Sequence, residues 1–336
     1  MLRLANRSGS CILTKSGCRM NLRIPYLLLK SARPRQWIKN VALFAPLFFS
    51  GFLFYDPADG LPYIATVTFA AIIFTVLTSS IYIINDILDR EADAKHPFKK
   101  KRPLASGELP APIALFTAIT GLAVVFFLSL PLSSFFKLML ALYFLLQMLY
   151  AKFLKHFPIW DVLTIASGFL IRTYAGSVVV NLHMSVWFLL TVVSASLFLA
   201  VAKRQSERTL LGETQLGETR KTLKKYSQRL LDQYTSMFAT ATWLTYALYT
   251  FQTTLSDIEP AFERFPELYI FLPRTLQSQK LLMLTIPFVI IGVMRYLHLI
   301  YEENKGESPE RIILRDKTLL SVVTLLALTT FVVIYM

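Results

Sequence analysis

The chain has 336 residues, 54% of them hydrophobic, and a mean hydropathy of +0.51. That balance excludes an ordinary soluble domain. A formal charge of +14 would suggest nucleic acid in a soluble protein, but here the basic residues alternate with long apolar runs, which points to a membrane.

The first segment carries Arg3, Arg7, Lys15, Arg19, Arg23, Lys30, Arg33, Arg35 and Lys39, with no acid before Asp56. Cys11 and Cys18 offer neither a disulfide framework nor metal-ligand spacing, and Cys11-Ile12-Leu13 is too short for a signal-peptide apolar region. Residues 1–20 are expected to be loosely ordered, with Met20 an alternative start. The organisation expected is a basic N-terminal segment, 1–30, followed by one transmembrane domain, 31–336. About 20 apolar residues cross a bilayer as a helix. Nine runs qualify as candidates: 37–55, 61–85, 111–130, 134–151, 159–180, 184–202, 232–254, 279–300 and 317–336. The expected fold is therefore all-α, a polytopic membrane bundle of about nine helices.

Positive charge collects in alternate connections. The 86–110 loop holds Arg90, Lys95, Lys99, Lys100, Lys101 and Arg102, and the 203–231 loop holds Lys203, Arg204, Arg208, Arg220, Lys221, Lys224, Lys225 and Arg229. The 255–278 loop is instead acidic, with Asp257, Glu259, Glu263 and Glu267 against Arg264 and Arg274. This is the positive-inside pattern, which predicts a cell-membrane protein with a cytoplasmic N-terminus. Lys221 to Tyr234, with Leu223, Tyr226, Leu230 and Leu231 among basic residues, reads either as an interfacial amphipathic helix or as a solvated loop.

The most chemically specific stretch is Asn85-Asp86-Ile87-Leu88-Asp89-Arg90-Glu91-Ala92-Asp93, at the end of an apolar run where acids are expensive. On one helix Asp86, Asp89 and Asp93 fall at i, i+3 and i+7 and share a face. Such carboxylates, with Asn85, suit Mg²⁺, which takes oxygen ligands and bridges to substrate phosphates. The following Lys99-Lys100-Lys101-Arg102 run can hold remaining phosphate charge. His96, beside Pro97, is expected to shape the loop. An ion carrier would keep its ionisable groups nearer the bilayer midplane.

Farther on, Arg172 lies inside an apolar run, where an unpaired cation costs at least about 2.5 kcal/mol. Asp161 is 11 residues away, about 16 Å along a helix, so a ligand phosphate or an acid on another span is the expected partner. Tyr150, at the end of the fourth run, and Lys155, just after it, are expected at ribose or phosphate, with an interfacial anchor the other reading of Tyr150. Gly168, Ala175 and Gly176 allow close helix approach. His156, His183 and His298 form no dyad, and no Gly-x-Ser-x-Gly or Walker-type loop is present.

The motif Asn85-Asp-x-x-Asp-x-x-x-Asp93 resembles the first aspartate-rich motif of the UbiA-type superfamily of intramembrane prenyltransferases. Arg33-Pro34-Arg35-Gln36-Trp37-Ile38-Lys39-Asn40, His96-Pro97 through Gly107, Tyr150 with Lys155 and Asp161, Gly168 to Gly176, Arg295-Tyr296-Leu297, Gly306 to Pro309 and Leu314-Arg315-Asp316 resemble its decaprenyl-phosphate phosphoribosyltransferase branch. The likeness runs from about residue 30 to the end. It implies a Mg²⁺-dependent pentosyltransferase that moves 5-phosphoribosyl from phosphoribosyl pyrophosphate to a polyprenyl phosphate and releases pyrophosphate. It further implies a product used for cell-envelope glycans, while the charge distribution already leads us to expect no nucleic-acid partner. Members that transfer a prenyl chain to an aromatic acceptor, the alternative reading, carry a second acidic motif. Here that place reads Ala202-Lys203-Arg204-Gln205-Ser206-Glu207-Arg208. Lys203 and Arg204 suit a ligand with an additional phosphate. The implied catalytic and metal residues are Asn85, Asp86, Asp89 and Asp93, and the phosphate-binding set is Lys39, Arg102, Tyr150, Lys155, Arg172, Lys203 and Arg204. Replaceability of Asp86 and Arg172 without loss of turnover would instead mark a non-enzymatic carrier.

Overall fold

The computed structural model describes residues 16–58, 60–95, 99–219, 225–253, 280–303 and 309–335. Within them the chain is built from helices, with no strand. His96, Lys221 and the acidic 255–278 loop lie outside the described residues.

Helix α1 (Ser16–Ala32) ends just before Arg33-Pro34. A residue preceding proline is pushed out of the helical region, and Arg33 adopts a left-handed conformation with φ 55°. The expected boundary near residue 30 therefore falls inside a helix that begins at Ser16. A 3-10 strap, Pro34–Phe44, follows, then short α2 (Ala45–Phe49). This replaces the continuous span expected over 37–55. Pro34 and Pro46 punctuate the segment, and Asn40 turns inward to polar partners on α3 (Tyr63–Leu88).

After α3 come α4 (Arg90–Lys95), α5 (Ala111–Ser129), α6 (Ser134–Lys152) and α7 (Trp160–Val179). Next are α8 (Val186–Thr219) and α9 (Gln228–Gln252). The chain ends with α10 (Ile286–Tyr301), which continues a 3-10 turn at Leu281–Thr285, α11 (Pro309–Arg315) and α12 (Lys317–Tyr335). Seven described helices are long and apolar enough to span a membrane: α3, α5, α6, α7, the Val186–Thr209 part of α8, Leu281–Tyr301 and α12. The count of nine is thus not reproduced. Helix α9 is long enough, at 25 residues, but Asp232, Gln233 and its threonines lower its apolar content.

Helix α8 also corrects the reading of 203–231. It runs 34 residues without a break to Thr219, about 50 Å. The next helix starts at Gln228, where the Ser227 hydroxyl accepts the Leu230 N–H at 3.1 Å.

Helix α3 is the central element of the first half. Leu43, Leu47, Val67, Ile73, Phe74, Phe136 and Ala175 form one apolar core among the strap, α2, α3, α6 and α7. Helix α5 turns Phe116, Phe126 and Phe127 outward, as a lipid-facing helix does. A second core around Phe198, Ala239, Tyr296 and Leu299 joins α8, α9 and α10. Helix α7 bridges the halves by packing on both α6 and α8. The bundle then closes: the Tyr335 hydroxyl of α12 donates to the Phe48 carbonyl of α2 at 2.8 Å.

Candidate active site

The acidic motif straddles a helix break. Helix α3 ends at Leu88, Asp89 is its C-cap and α4 begins at Arg90. The Asp89 N–H still donates to the Asn85 carbonyl at 2.9 Å and the Asp93 N–H to the Asp89 carbonyl at 2.8 Å. Asn85 is half-buried. The three carboxylates divide into a pair and a single. Asp86, only 3% exposed, and Asp93 are bridged by the Arg102 guanidinium, whose Nη1 lies 3.1 Å from Asp86 Oδ1 and also contacts Asp93 Oδ2. Lys99 stands 3.8 Å from the other Asp93 oxygen. Asp89 turns away and takes the Lys155 ammonium at 2.7 Å.

Arg33 completes this cluster, and motif reading had assigned it no site role. Its guanidinium pairs with Asp86 Oδ1 and lies 4.9 Å from the Tyr82 ring centroid. The strap that follows is pinned to α3, with Trp37 Nε1 donating to Ser79 Oγ at 3.0 Å and Asn40 Nδ2 to Thr75 Oγ1 at 2.9 Å. The signal available in the sequence was Arg33 immediately before Pro34. Lys39, on the same strap, is half-buried.

A second cluster lies at the start of α7. Asp161 is fully buried, and its Oδ2 pairs with Arg204 Nε at 2.9 Å. Arg204, only 2% exposed, also pairs with Glu207 one turn along α8. Its charge is therefore neutralised inside the protein by two carboxylates, which sets it apart from an open phosphate contact. Tyr150 at the end of α6 and Lys203, the neighbour of Arg204 in sequence, are both half-buried. The Tyr226 hydroxyl donates to Asp161 Oδ1 at 2.8 Å and accepts the Ile159 N–H at 2.5 Å. Burial pushes the Tyr226 phenol above its ordinary range, so it remains a donor. The segment from Lys155 to Asp161 thus touches both clusters.

Arg172 sits apart from them, deeper in the bundle. Its Nε donates to Asn40 Oδ1 at 3.0 Å, Nη1 to the Gly168 carbonyl at 3.3 Å and Nη2 to the Tyr143 hydroxyl. The rings of Tyr143 and Phe169 lie under the guanidinium at 4.8 and 5.4 Å. These partners are neutral, and among the described residues the acid expected on another span does not pair with it. Hydrogen bonds and ring faces share the cost of the buried charge.

The acidic motif fits a hard divalent cation in its donor chemistry. Two carboxylate oxygens, from Asp86 and Asp93, reach one and the same nitrogen of Arg102, so both can face a single cationic centre. Carboxylate oxygen is what Mg²⁺ prefers. Asp89, held by Lys155, is the ligand that would have to turn. In the present arrangement no three His, Cys, Asp or Glu side chains among the described residues converge as a finished ligand set.

The UbiA prenyltransferase family model matches residues 43–315. The chain is 36% identical over 301 residues to the decaprenyl-phosphate phosphoribosyltransferase of Mycolicibacterium smegmatis, covering 87% of each chain. It is 32% identical over 296 residues to the protein of the same name in Corynebacterium glutamicum, covering 87% of this chain and 82% of the relative. Among solved structures it resembles a UbiA homolog from Archaeoglobus fulgidus bound to DMAPP and Mg²⁺, with a TM-score of 0.64 and 16% identity. That match covers 91% of this chain and 98% of the other and shows a shared fold. With a motif of three aspartates at the end of a spanning helix and a match over most of its length, the chain belongs to the UbiA prenyltransferase family, as a multi-pass membrane transferase.

Proposed function

We propose that the protein transfers 5-phosphoribosyl from phosphoribosyl pyrophosphate to a polyprenyl phosphate, releasing pyrophosphate, with Mg²⁺ as cofactor and the site facing the cytoplasm. The observation that carries this reading is the interleaving of Asp86, Asp89 and Asp93 with Arg33, Lys99, Arg102 and Lys155. Carboxylates alone would suit a metal, and cations alone a simple anion. Their mixture suits a metal-bound diphosphate with further phosphate charge beside it. The name shared by the relatives adds the phosphoribosyl donor and the polyprenyl phosphate acceptor.

In this reaction the bond between ribose C1 and the pyrophosphate oxygen breaks, and its electron pair leaves with pyrophosphate. An oxygen of the lipid phosphate forms the new bond to C1. That oxygen is already anionic, so no strong general base is needed and positioning dominates. Asp86 and Asp93, with Asp89 and Asn85 beside them, would hold Mg²⁺, which would supply charge neutralisation for the departing pyrophosphate. Arg33, Arg102 and Lys155 are placed to take the leaving group's remaining charge, a preorganised electrostatic role. Lys39, Tyr150 and Lys203 are candidates for the 5-phosphate, ribose or lipid phosphate. Arg172 and Arg204 hold the frame around them.

The test is a transfer assay on detergent-purified protein with Mg²⁺, labelled phosphoribosyl pyrophosphate and a polyprenyl phosphate. Label moving into the lipid phase, and stopping when EDTA is added, is the expected outcome. No such transfer, together with prenylation of an aromatic acid from a prenyl diphosphate, would overturn the reading.

A further inference from the structure

We propose that Tyr226 is a positioning residue whose hydroxyl clamps a strained turn at Ile159 and thereby fixes the Lys155 ammonium at Asp89. The inference rests on the reading above only in taking Lys155 as a group that meets the leaving phosphate.

Ile159 has φ 68° and ψ −52°, and the Trp160 N–H donates to the Pro158 carbonyl at 2.8 Å. Those angles and that bond define a γ-turn of the rare, strained hand. Positive φ is unusual for any residue with a side chain, and more so for a β-branched one. The isoleucine side chain does not repay the strain by burial, since it is 51% exposed. Such a backbone persists only where its surroundings over-determine it.

The surroundings here are Tyr226 and its mounts. The Tyr226 hydroxyl accepts the Ile159 N–H at 2.5 Å from 67 residues away in the chain and donates its own O–H to Asp161 Oδ1 at 2.8 Å. The phenol is 1% exposed, so water does not compete for it. Two arginines of α8, one turn apart, hold the rest: Arg204 pairs with Asp161, and Arg208 donates to the Tyr226 carbonyl. The turn is thus gripped from one rigid helix. Upstream the connection to Lys155 is short and carries backbone hydrogen bonds on either side of Pro158. The Phe157 N–H donates to the Leu154 carbonyl at 3.2 Å, and the Asp161 N–H to the Phe157 carbonyl at 3.2 Å. Relaxing the turn must therefore move the lysine that meets Asp89.

The experiment compares Tyr226→Phe, Ile159→Gly and the double variant with the wild-type enzyme. Amide hydrogen exchange over residues 157–163 is measured with kcat and KM for whichever phosphate donor the wild-type enzyme turns over. Tyr226→Phe is expected to speed exchange at Ile159 by about fivefold or more, the factor for one lost hydrogen bond. It is also expected to lower kcat/KM by about tenfold or more, as misplaced groups do. Glycine adopts positive φ unaided, so adding Ile159→Gly to Tyr226→Phe should restore most of kcat/KM. Faster exchange with unchanged kcat and KM, unchanged exchange, or no recovery in the double variant would each overturn the proposal. If Tyr226→Phe fails to accumulate, Ile159→Gly alone decides. A raised melting temperature supports the strained turn, and a lowered one refutes it. Should the wild-type enzyme use a prenyl diphosphate and not phosphoribosyl pyrophosphate, the functional reading falls, while the same ratios for that donor still judge the clamp.

Discussion

Asp86 is the most constrained group of the site: nearly buried, at the last turn of a spanning helix, and facing two guanidinium groups at once. Asp86→Asn keeps its shape and removes its charge, and is expected to reduce transfer by about 100-fold or more, the scale for losing one preorganised electrostatic partner. Asp89→Asn should behave likewise. Normal turnover by either variant, on protein shown to be folded, would remove the metal assignment. Arg102 invites a different measurement, because it neutralises Asp86 and Asp93 together. Arg102→Ala leaves two facing carboxylates with less counter-charge. The melting temperature should fall in EDTA, and the gap to wild type should narrow as Mg²⁺ is added. An equal gap in both conditions would mean that the pair does not share a cation. At this scale the sequence was informative where chemistry is contiguous. Asp86, Asp89 and Asp93 could be read from one stretch, and Arg102 and Lys155, expected as phosphate contacts, stand against those carboxylates. Arg33 and Tyr226 were not expected there: what they touch lies 53 and 65 residues away, and no site role falls on either from the sequence. The neutral partners of Arg172, Asn40 and Tyr143, carry no charge pattern that a sequence displays.

The strap Pro34–Phe44 shows how one element seats a site. It rests against α7 where Gly176 lies, and a Cβ there would stand 1.9 Å from the Leu43 carbonyl oxygen. Backbone cannot yield as a side chain can. Gly176→Ala is therefore expected to destabilise the protein by more than the usual 1–3 kcal/mol of overpacking, and to loosen Arg33 from Asp86 through the same strap. Gly121 provides the contrast. A Cβ there would meet the Ser80 hydroxyl at 2.2 Å, a group that turns about one bond, so Gly121→Ala should cost far less. Thermal unfolding in detergent ranks the two, and equal losses would contradict the account. The strap was missed because apolar composition was taken as a spanning helix. Gly176 was read correctly as a place of close approach, although its partner is the strap's backbone. The opposite error occurred in α8: the charges from Lys203 onward were taken to end the helix. Hydropathy marks where lipid ends, and Lys, Arg, Gln and Glu are good helix formers beyond that point.

Across the whole molecule, composition was the most legible level. An all-helical membrane bundle followed from apolar runs of spanning length, and most of their positions agree with the observed helices within a few residues. The number of spans was less legible, because a helix such as α9 can pack along α8 with threonine, tyrosine and aspartate on its surface. The alternation of basic connections, read as orientation, makes its own prediction. A reporter enzyme active only in the cytoplasm should function when fused within 203–219, and failure there would reverse the topology. Closure of the bundle carries a further consequence, concerning how the protein is made. The Phe48 carbonyl has its tyrosine partner 287 residues later, on the last helix. At ribosomal speeds of about 5–20 residues per second, that partner emerges tens of seconds after the carbonyl it caps. The segment that precedes the first spanning helix must therefore wait, with a polar group incompletely satisfied, until α12 arrives. Insertion can proceed helix by helix, but this closing contact can form only after α12 has been made.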